Sequence, residues 1–168
     1  MKVFIASDHG GFKLKEFLKE KLSEKYTVKD FGCNSGESCD YPDFAVLVAK
    51  AVAESNGKQA QDAEAVAGSS GKALGILCCG TGIGMSIAAN KVKGIRAAVV
   101  YDEFTAKMSR AHNNANIACF GGRNIEKETA LQLAEIFLAT AFEGEQKEGA
   151  RHLKRVKKIQ EIEKKYFK

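Results

Sequence analysis

The chain has 168 residues, of which 45% are hydrophobic and 28% charged, and its formal net charge is +5. A chain of this length can bury a substantial core, so we expect a single domain over residues 1–168. The charge is concentrated at one end: residues 151–168 hold eight basic and two acidic side chains, and the rest is close to neutral. This distribution argues against a protein coated in positive charge for nucleic acid, although a basic terminal helix alone can bind phosphate backbones.

The early sequence and the cysteines bear on where the protein works. No apolar run approaches the ~20 residues of a membrane-spanning helix, and Asp8 and His9 come too soon for a signal peptide. Five cysteines form an odd set without a CxxC pair, which favours reduced thiols and argues against a structural zinc site. We therefore expect a cytoplasmic protein with no membrane partner and no bound metal.

Short apolar runs alternate with segments of helical periodicity along the chain. Near-continuous apolar runs such as ALGILCC are typical of a parallel sheet that is covered on both faces. The alternation predicts an α/β protein, a doubly wound three-layer α/β/α sandwich of about five strands. The predicted strands are residues 3–6, 27–31, 74–79, 95–100 and 117–120, and the predicted helices include residues 12–22, 44–52, 83–92, 130–138 and 150–167.

Two segments stand apart from this alternation. Residues 56–72 are polar and rich in glycine and other small residues, which predicts an inserted surface loop. Residues 150–167 carry an apolar side chain at every third position from Leu153 to Ile162, with charged residues between them. That spacing predicts a helix with a narrow apolar seam, which docks on its own domain or on a partner subunit.

Ligands of an open parallel sheet bind beyond the carboxyl ends of the strands. The sharpest feature at that edge is CGTGIG at residues 79–84, where alternate glycines let backbone N–H groups turn inward to hold an anion. Cys79 directly precedes this loop, and a thiol facing a helix N-terminus is suited to acid–base or nucleophilic chemistry. Only one of Cys78 and Cys79 can face the loop, because strand side chains alternate, and simple burial is the alternative for both.

Other patterns admit more than one interpretation. A dinucleotide fingerprint would need its third glycine at Met85, but Asp102 stands where its ribose-binding acid would be, so nucleotide binding stays open. His112 ends the helix before the fifth strand, and Asp8 and His9 follow the first strand. Farther along, residues 151 and 155 are arginines one helical turn apart, able to converge on one phosphate or to form a solvated face.

Seven motifs run from the first strand to the last helix: SDHGG (7–11), DYPDFA (40–45), CGTGIGMSIAANK (79–91), GIRAAV (94–99), SRAHNNANI (109–117), FGGR (120–123) and ARHLKRV (150–156). Together they resemble the type B ribose-5-phosphate isomerases, a family that includes galactose-6-phosphate and allose-6-phosphate isomerases. The resemblance implies a Rossmann-like sheet and a homodimer or dimer of dimers. It also implies active sites at the subunit interface, a terminal helix that packs on the partner, and no cofactor.

The resemblance implies an aldose–ketose isomerase that interconverts D-ribose 5-phosphate and D-ribulose 5-phosphate through a cis-enediolate, in the non-oxidative pentose phosphate pathway. Cys79 would be the catalytic base. Some relatives instead use a glutamate at the position of Met85, which cannot take a proton. The enediolate oxygens would be stabilised by Thr81 and by the backbone amides of Gly80, Gly82, Ile83 and Gly84.

The remaining implied roles concern ring opening and substrate binding. His112 would assist the opening of the sugar ring, Asp8 and Asn113 would hold sugar hydroxyls, and Tyr41 would line the pocket. The phosphate would be surrounded by His9, Arg123, Arg151 and Arg155. Two alternatives stay open: the same scaffold acting on allose or galactose 6-phosphate, and a non-enzymatic domain that binds nucleotide or nucleic acid.

Overall fold

The computed structural model describes residues 1–61 and 73–166. The strands are β1 (Lys2–Ser7), β2 (Thr27–Asp30), β3 (Ala73–Cys79), β4 (Ala97–Val99) and β5 (Ile117–Gly121). The helices are α1 (Phe12–Ser23), α2 (Tyr41–Gln61), α3 (Ile83–Ala89), α4 (Glu103–Ala111), α5 (Lys127–Ala139) and α6 (Ala150–Tyr166). All strand pairs are parallel, in the order β2-β1-β3-β5-β4. The predicted α/β sandwich with a Rossmann-like sheet is confirmed.

The sheet separates two apolar cores, and β3 contributes to both because all of its residues are buried. Ile76 and Cys78 face the core beneath α1 and α5, whereas Leu77 and Cys79 face the core beneath α2 and α3. This is the alternation expected of a strand covered on both sides. The prediction that the two neighbouring thiols point to opposite faces is confirmed.

The strand order creates a switch point at the centre of the sheet. β1 lies between β2 and β3, so the chain leaves β1 in one direction and later crosses to its other side. Loops that diverge from such a point leave a crevice at the carboxyl edge. Ser7 pairs with Cys78, and Cys79 pairs with Gly121, so the segments after β1, β3 and β5 emerge side by side.

Several element boundaries differ from the predicted ones, among them those of α2, α3, α5 and β4. The helix predicted over 44–52 begins at Tyr41 and continues to Gln61, so residues 56–61 of the predicted loop are helical, while residues 62–72 lie outside the described part of the chain. The side chain of Asn56 attaches this part of α2 to the start of β3: its amide donates to the Ala73 carbonyl (3.2 Å) and its oxygen accepts from the Ala73 N–H (3.1 Å). The predicted strand 95–100 is shorter, because β4 covers only residues 97–99 at the edge of the sheet.

The terminal helix α6 docks only half of its predicted seam on its own chain. Val156 is buried, but Ile159 and Ile162 are 43% and 58% exposed. Near its end, Glu163 accepts a hydrogen bond from the Gly94 N–H (2.6 Å), which ties α6 to the turn before β4. Within the described ranges, no helix combines the length and the apolar character needed to cross a lipid bilayer.

Candidate active site

The switch point brings together three loops at the carboxyl edge of the sheet. Gly122 donates to the Cys79 carbonyl (2.7 Å) and the Arg123 N–H donates to the Gly80 carbonyl (3.1 Å), so the loop after β5 is bonded to the loop after β3. On the other side, the Asp8 N–H donates to the Cys78 carbonyl (3.1 Å). These backbone contacts hold the predicted residues of the β1, β3 and β5 loops in one crevice.

Cys79 occupies the floor of this crevice. Its side chain is 5% exposed, and its sulfur accepts a hydrogen bond from the Gly82 N–H (3.1 Å). Gly82 has a left-handed backbone (φ +79°), and a Cβ there would lie 3.1 Å from the Cys119 carbonyl oxygen. Only glycine adopts this conformation without strain, and the conformation directs the amide at the sulfur. The loop therefore presents a donor to the atom that would carry negative charge after deprotonation.

Two of the loop amides that are predicted to stabilise the enediolate have hydrogen-bond partners within the loop. The Gly82 N–H points at Cys79 and the Ile83 N–H donates to the Thr81 hydroxyl oxygen (3.4 Å), so these two amides already have partners within the loop. Thr81 and Ile83 are both exposed at the mouth of the crevice. Tyr41, at the start of α2, covers the other end of the loop: a Cβ on Gly84 would lie 2.8 Å from the Tyr41 ring.

Charged and polar side chains surround the loop. Arg123 lies across it, since a Cβ on Gly80 would be 3.3 Å from the Arg123 Nε. Asp8 is buried at 7% exposure, and its Oδ1 accepts from the Gly11 N–H (3.0 Å). His9 Nδ1 accepts from the Cys39 N–H (3.3 Å), so the neutral ring carries its proton on Nε2 and can donate it to an anion.

A second group of predicted residues collects around His112, at the end of α4. The His112 and His152 rings are stacked with their centroids 4.0 Å apart, and His112 Nε2 lies 3.6 Å from a carboxylate oxygen of Glu143. Arg151 Nε donates to His152 Nε2 (3.2 Å). Burial lowers the pKa of His152, and electrostatic interactions with His112, Arg151 and Arg155 lower it further, whereas Glu143 raises it. The net lowering favours the neutral ring.

The two groups lie at opposite edges of the sheet within one chain. Cys79 is level with Gly121 at the carboxyl end of β5, whereas His112 and Asn113 precede Ile117 at its amino end. The Arg96 Nε donates to the Asn114 carbonyl (2.9 Å), which places this turn beside the start of β4. At about 3.3 Å per residue, the length of β5 alone separates the groups by roughly 13 Å.

Comparisons with known proteins cover nearly the whole chain. The family profile described as Ribose/Galactose Isomerase matches residues 3–159. The chain belongs to this isomerase family. A putative sugar phosphate isomerase of Bacillus subtilis is 45% identical over 98% of this chain and 99% of its own length. The ribose-5-phosphate isomerase B of Escherichia coli is 41% identical over 96% of each chain.

Solved structures agree with the fold and the family. Ribose-5-phosphate isomerase B of Clostridium thermocellum has a TM-score of 0.83 and 46% identity, covering 99% of both chains. The Mycoplasma genitalium enzyme, solved with bound ribulose-5-phosphate, has a TM-score of 0.81 and 42% identity over 97% of this chain and 96% of that chain. These similarities identify the protein as a sugar-phosphate isomerase by fold and by sequence.

Two residues of the candidate site are not apparent from the sequence. Cys39 supports His9 through its backbone, and Glu143 reaches His112 from the 3₁₀ turn after α5. Glu143 also completes a set with His112 and His152 whose ligand atoms lie within 4.8 Å of one another, the donor types that bind transition metals. The guanidinium of Arg151, in contact with His152, disfavours a divalent cation there and favours an anion.

Proposed function

We propose that this isomerase interconverts D-ribose 5-phosphate and D-ribulose 5-phosphate, the reaction of the non-oxidative pentose phosphate pathway, with Cys79 as the base. The observation that carries the proposal is the Cys79 thiol at the switch point with the Gly82 amide 3.1 Å from its sulfur. Two similarities support the choice of sugar: relatives named ribose-5-phosphate isomerase B, and the Mycoplasma structure that holds ribulose-5-phosphate.

The chemistry follows from the positions of the loop groups. Cys79 takes the proton from C2 of the open-chain aldose and returns it to C1, while the carbonyl shifts from C1 to C2 through a cis-enediolate. The Thr81 hydroxyl, exposed beside Cys79, stabilises the negative charge that develops on the oxygens. Asp8 and Tyr41 border this space, and Arg123 with the Nε2 proton of His9 supplies donors for the phosphate.

The second group completes the site from another copy of the chain. His112 opens the sugar ring, Asn113 holds a hydroxyl, and Arg151 and Arg155 bind the phosphate. Within one chain these residues lie at the edge opposite Cys79, so a second subunit must bring them to the loop. Exposed apolar residues next to the edge strand β4 fit such an interface, including Tyr101 and Phe104 (64% and 72% exposed), Ile83, Ile87, Ile159 and Ile162. We infer a homodimer as the minimal active unit.

The assignment of the base is tested with neighbouring cysteines. Cys79→Ala is expected to lower kcat for ribose 5-phosphate by about 10²- to 10⁴-fold, the usual contribution of a proton-transfer group. Cys78→Ala is the matched control, because it removes an adjacent buried thiol from the opposite core and leaves the loop intact. Equal kcat values for the two variants would contradict the role of Cys79, and faster turnover of allose 6-phosphate by the native enzyme would contradict the choice of sugar.

The sharing of the site is tested by mixing two inactive variants. Cys79→Ala and His112→Ala are dissociated together and reassembled. If the site is shared, each mixed dimer has one site with native Cys79 and native His112 and one site that lacks both. Random pairing makes half of the dimers mixed, so about a quarter of the native activity is restored. A mixture as inactive as its components would show that both groups act within one chain.

The role of Arg151 in phosphate binding is tested separately. Arg151→Ala is expected to raise KM about 30-fold, equivalent to ~2 kcal/mol for a lost charged hydrogen bond.

A further inference from the structure

The segment that joins β2 to α2 is bonded to the site at both of its ends. The Cys33 N–H donates to the Ser7 carbonyl (2.8 Å), and the Cys39 N–H donates to Nδ1 of His9 (3.3 Å). Residues 34–38, between these anchors, are all exposed. Ser7 is the last residue of β1, and His9 lies in the turn that follows it. Both ends of the segment are therefore attached to the same short stretch of chain.

The side chains of the two cysteines also interact. The Cys33 thiol is buried at 6% exposure and donates to the Ser35 carbonyl (3.1 Å), with the Ser7 hydroxyl 3.7 Å from the sulfur. The Cys39 thiol is half-buried. Burial raises the pKa of Cys39, and a hydrogen bond with the Cys33 side chain raises it further. A disulfide requires Cα atoms about 4.4–6.8 Å apart, which this anchoring allows.

We propose that Cys33 and Cys39 are a redox-sensitive pair that hydrogen peroxide converts to a disulfide, and that the disulfide weakens substrate binding through His9. The more exposed Cys39 thiolate attacks peroxide: an S–O bond forms, the O–O bond breaks, and hydroxide leaves as water. The Cys33 thiol then attacks the sulfenic sulfur, an S–S bond forms, the S–O bond breaks, and a second water leaves. The cysteines lose two electrons and two protons, and one peroxide becomes two waters.

The consequence for the site follows from the Cys39 N–H. Closing the disulfide draws Cys39 toward Cys33 and away from His9, so the ring loses the donor that fixes its tautomer. Cys78 and Cys119 are poor competitors, because both side chains are fully buried and peroxide in solution cannot reach them. The raised pKa of Cys39 also makes its reaction slow at neutral pH and faster as the pH rises toward that pKa.

The test compares three full-length proteins: the native isomerase, Cys39→Ser and Cys119→Ala. Each is treated with hydrogen peroxide, the peroxide is removed with catalase, and the product is compared with the reduced form of the same protein. Peptide mass spectrometry is expected to find a Cys33–Cys39 disulfide in the native protein and in Cys119→Ala. In these two proteins KM for ribose 5-phosphate rises about fivefold, the equivalent of one hydrogen bond, and dithiothreitol restores it. Cys39→Ser keeps its KM, whereas oxidation of Cys79 would lower kcat in all three proteins.

The effect on substrate rests on the proposed function, but the disulfide does not. If no protein shows isomerase activity, the mass spectra still decide whether the pair forms, and calorimetric binding of ribose 5-phosphate replaces KM. Absence of the Cys33–Cys39 peptide at peroxide doses that oxidise Cys79 overturns the pair. A disulfide that leaves KM and the binding constant unchanged overturns its link to His9.

Discussion

The buried lysine of α1 offers a quantitative test of what holds the site edge in place. Lys15 is fully buried, and its ammonium contacts Asp30 (2.8 Å), Glu16 (2.6 Å) and the Cys33 carbonyl (2.7 Å). It therefore links α1, the end of β2 and the start of the segment that carries Cys39. Burial of a charge is tolerated only because all three ammonium protons have an acceptor.

Lys15→Met keeps most of the side-chain volume and removes the charge. The change leaves the buried Cys33 carbonyl without its donor and removes one of the two lysine charges that contact Asp30. Breaking a buried ion pair in this way costs about 3–5 kcal/mol of folding free energy. Because Lys19 still reaches both Asp30 (2.9 Å) and Glu16 (2.7 Å), we expect about 3 kcal/mol. For a chain of this length that loss lowers Tm by roughly 6–12 °C.

Chemical denaturation at pH 7 measures this cost, with Lys19→Met as the matched control. Lys19 contacts the same carboxylates from a half-exposed position, so its removal is expected to cost about 0.5 kcal/mol. Comparable losses for the two variants, or a loss below 1 kcal/mol for Lys15→Met, would refute the reasoning.

The loss of stability at low pH is a second measure of the ion pairs between Lys15, Lys19 and Asp30. Burial alone would raise the pKa of Asp30, but hydrogen bonds from Lys15, the Gly32 N–H and Lys19 lower it overall. A lowered pKa in the folded state gives stability that is present above the unfolded pKa of about 3.9 and is lost as the pH falls through the folded value. The native protein should therefore lose stability below about pH 4 more steeply than Lys15→Met does.

Three further variants test separate parts of the structure. Gly82→Ala forces a side chain into a left-handed conformation against the Cys119 carbonyl, and we expect a loss of ~1–2 kcal/mol and a fall in kcat, whereas Gly36→Ala, in open space, changes neither. Asn56→Ala removes both hydrogen bonds to Ala73 and should cost about 1–2 kcal/mol in denaturation, with Asn56→Asp, which keeps one acceptor, losing less. Asp102 caps α4 through the Thr105 amide (2.7 Å), so Asp102→Ala should lower Tm and leave KM for ribose 5-phosphate unchanged; a raised KM would contradict a purely structural role for Asp102.

Much of the carboxyl edge is predictable from local sequence. Side-chain alternation along one buried strand assigns Cys78 and Cys79 to opposite faces, and the structure agrees. The alternate glycines of residues 79–84 predict backbone amides that turn inward, and the structure shows a positive φ at Gly82 with its amide directed at Cys79. These features depend only on residues adjacent in the chain, which is why a sequence pattern can reveal them.

Other features depend on contacts that no local pattern encodes. The position of His112 follows from β5 lying between β3 and β4, an order that the succession of strands does not specify. The support of His9 by Cys39 joins residues 30 positions apart. The contact of Asn56 in α2 with Ala73 joins residues 17 positions apart, whereas Gly57 and the polar residues around it locally favour a loop.

The two edges of the sheet also determine how substitutions should combine. Cys78 and Cys79 are adjacent in sequence but pack into different cores, so their effects on stability should add. Cys79 and His112 lie far apart in one protomer, but the proposed shared site would make them members of one catalytic unit, so their effects on turnover should not add. In this protein, energetic coupling between residues is therefore expected to follow the assembled enzyme and not the distances within one chain.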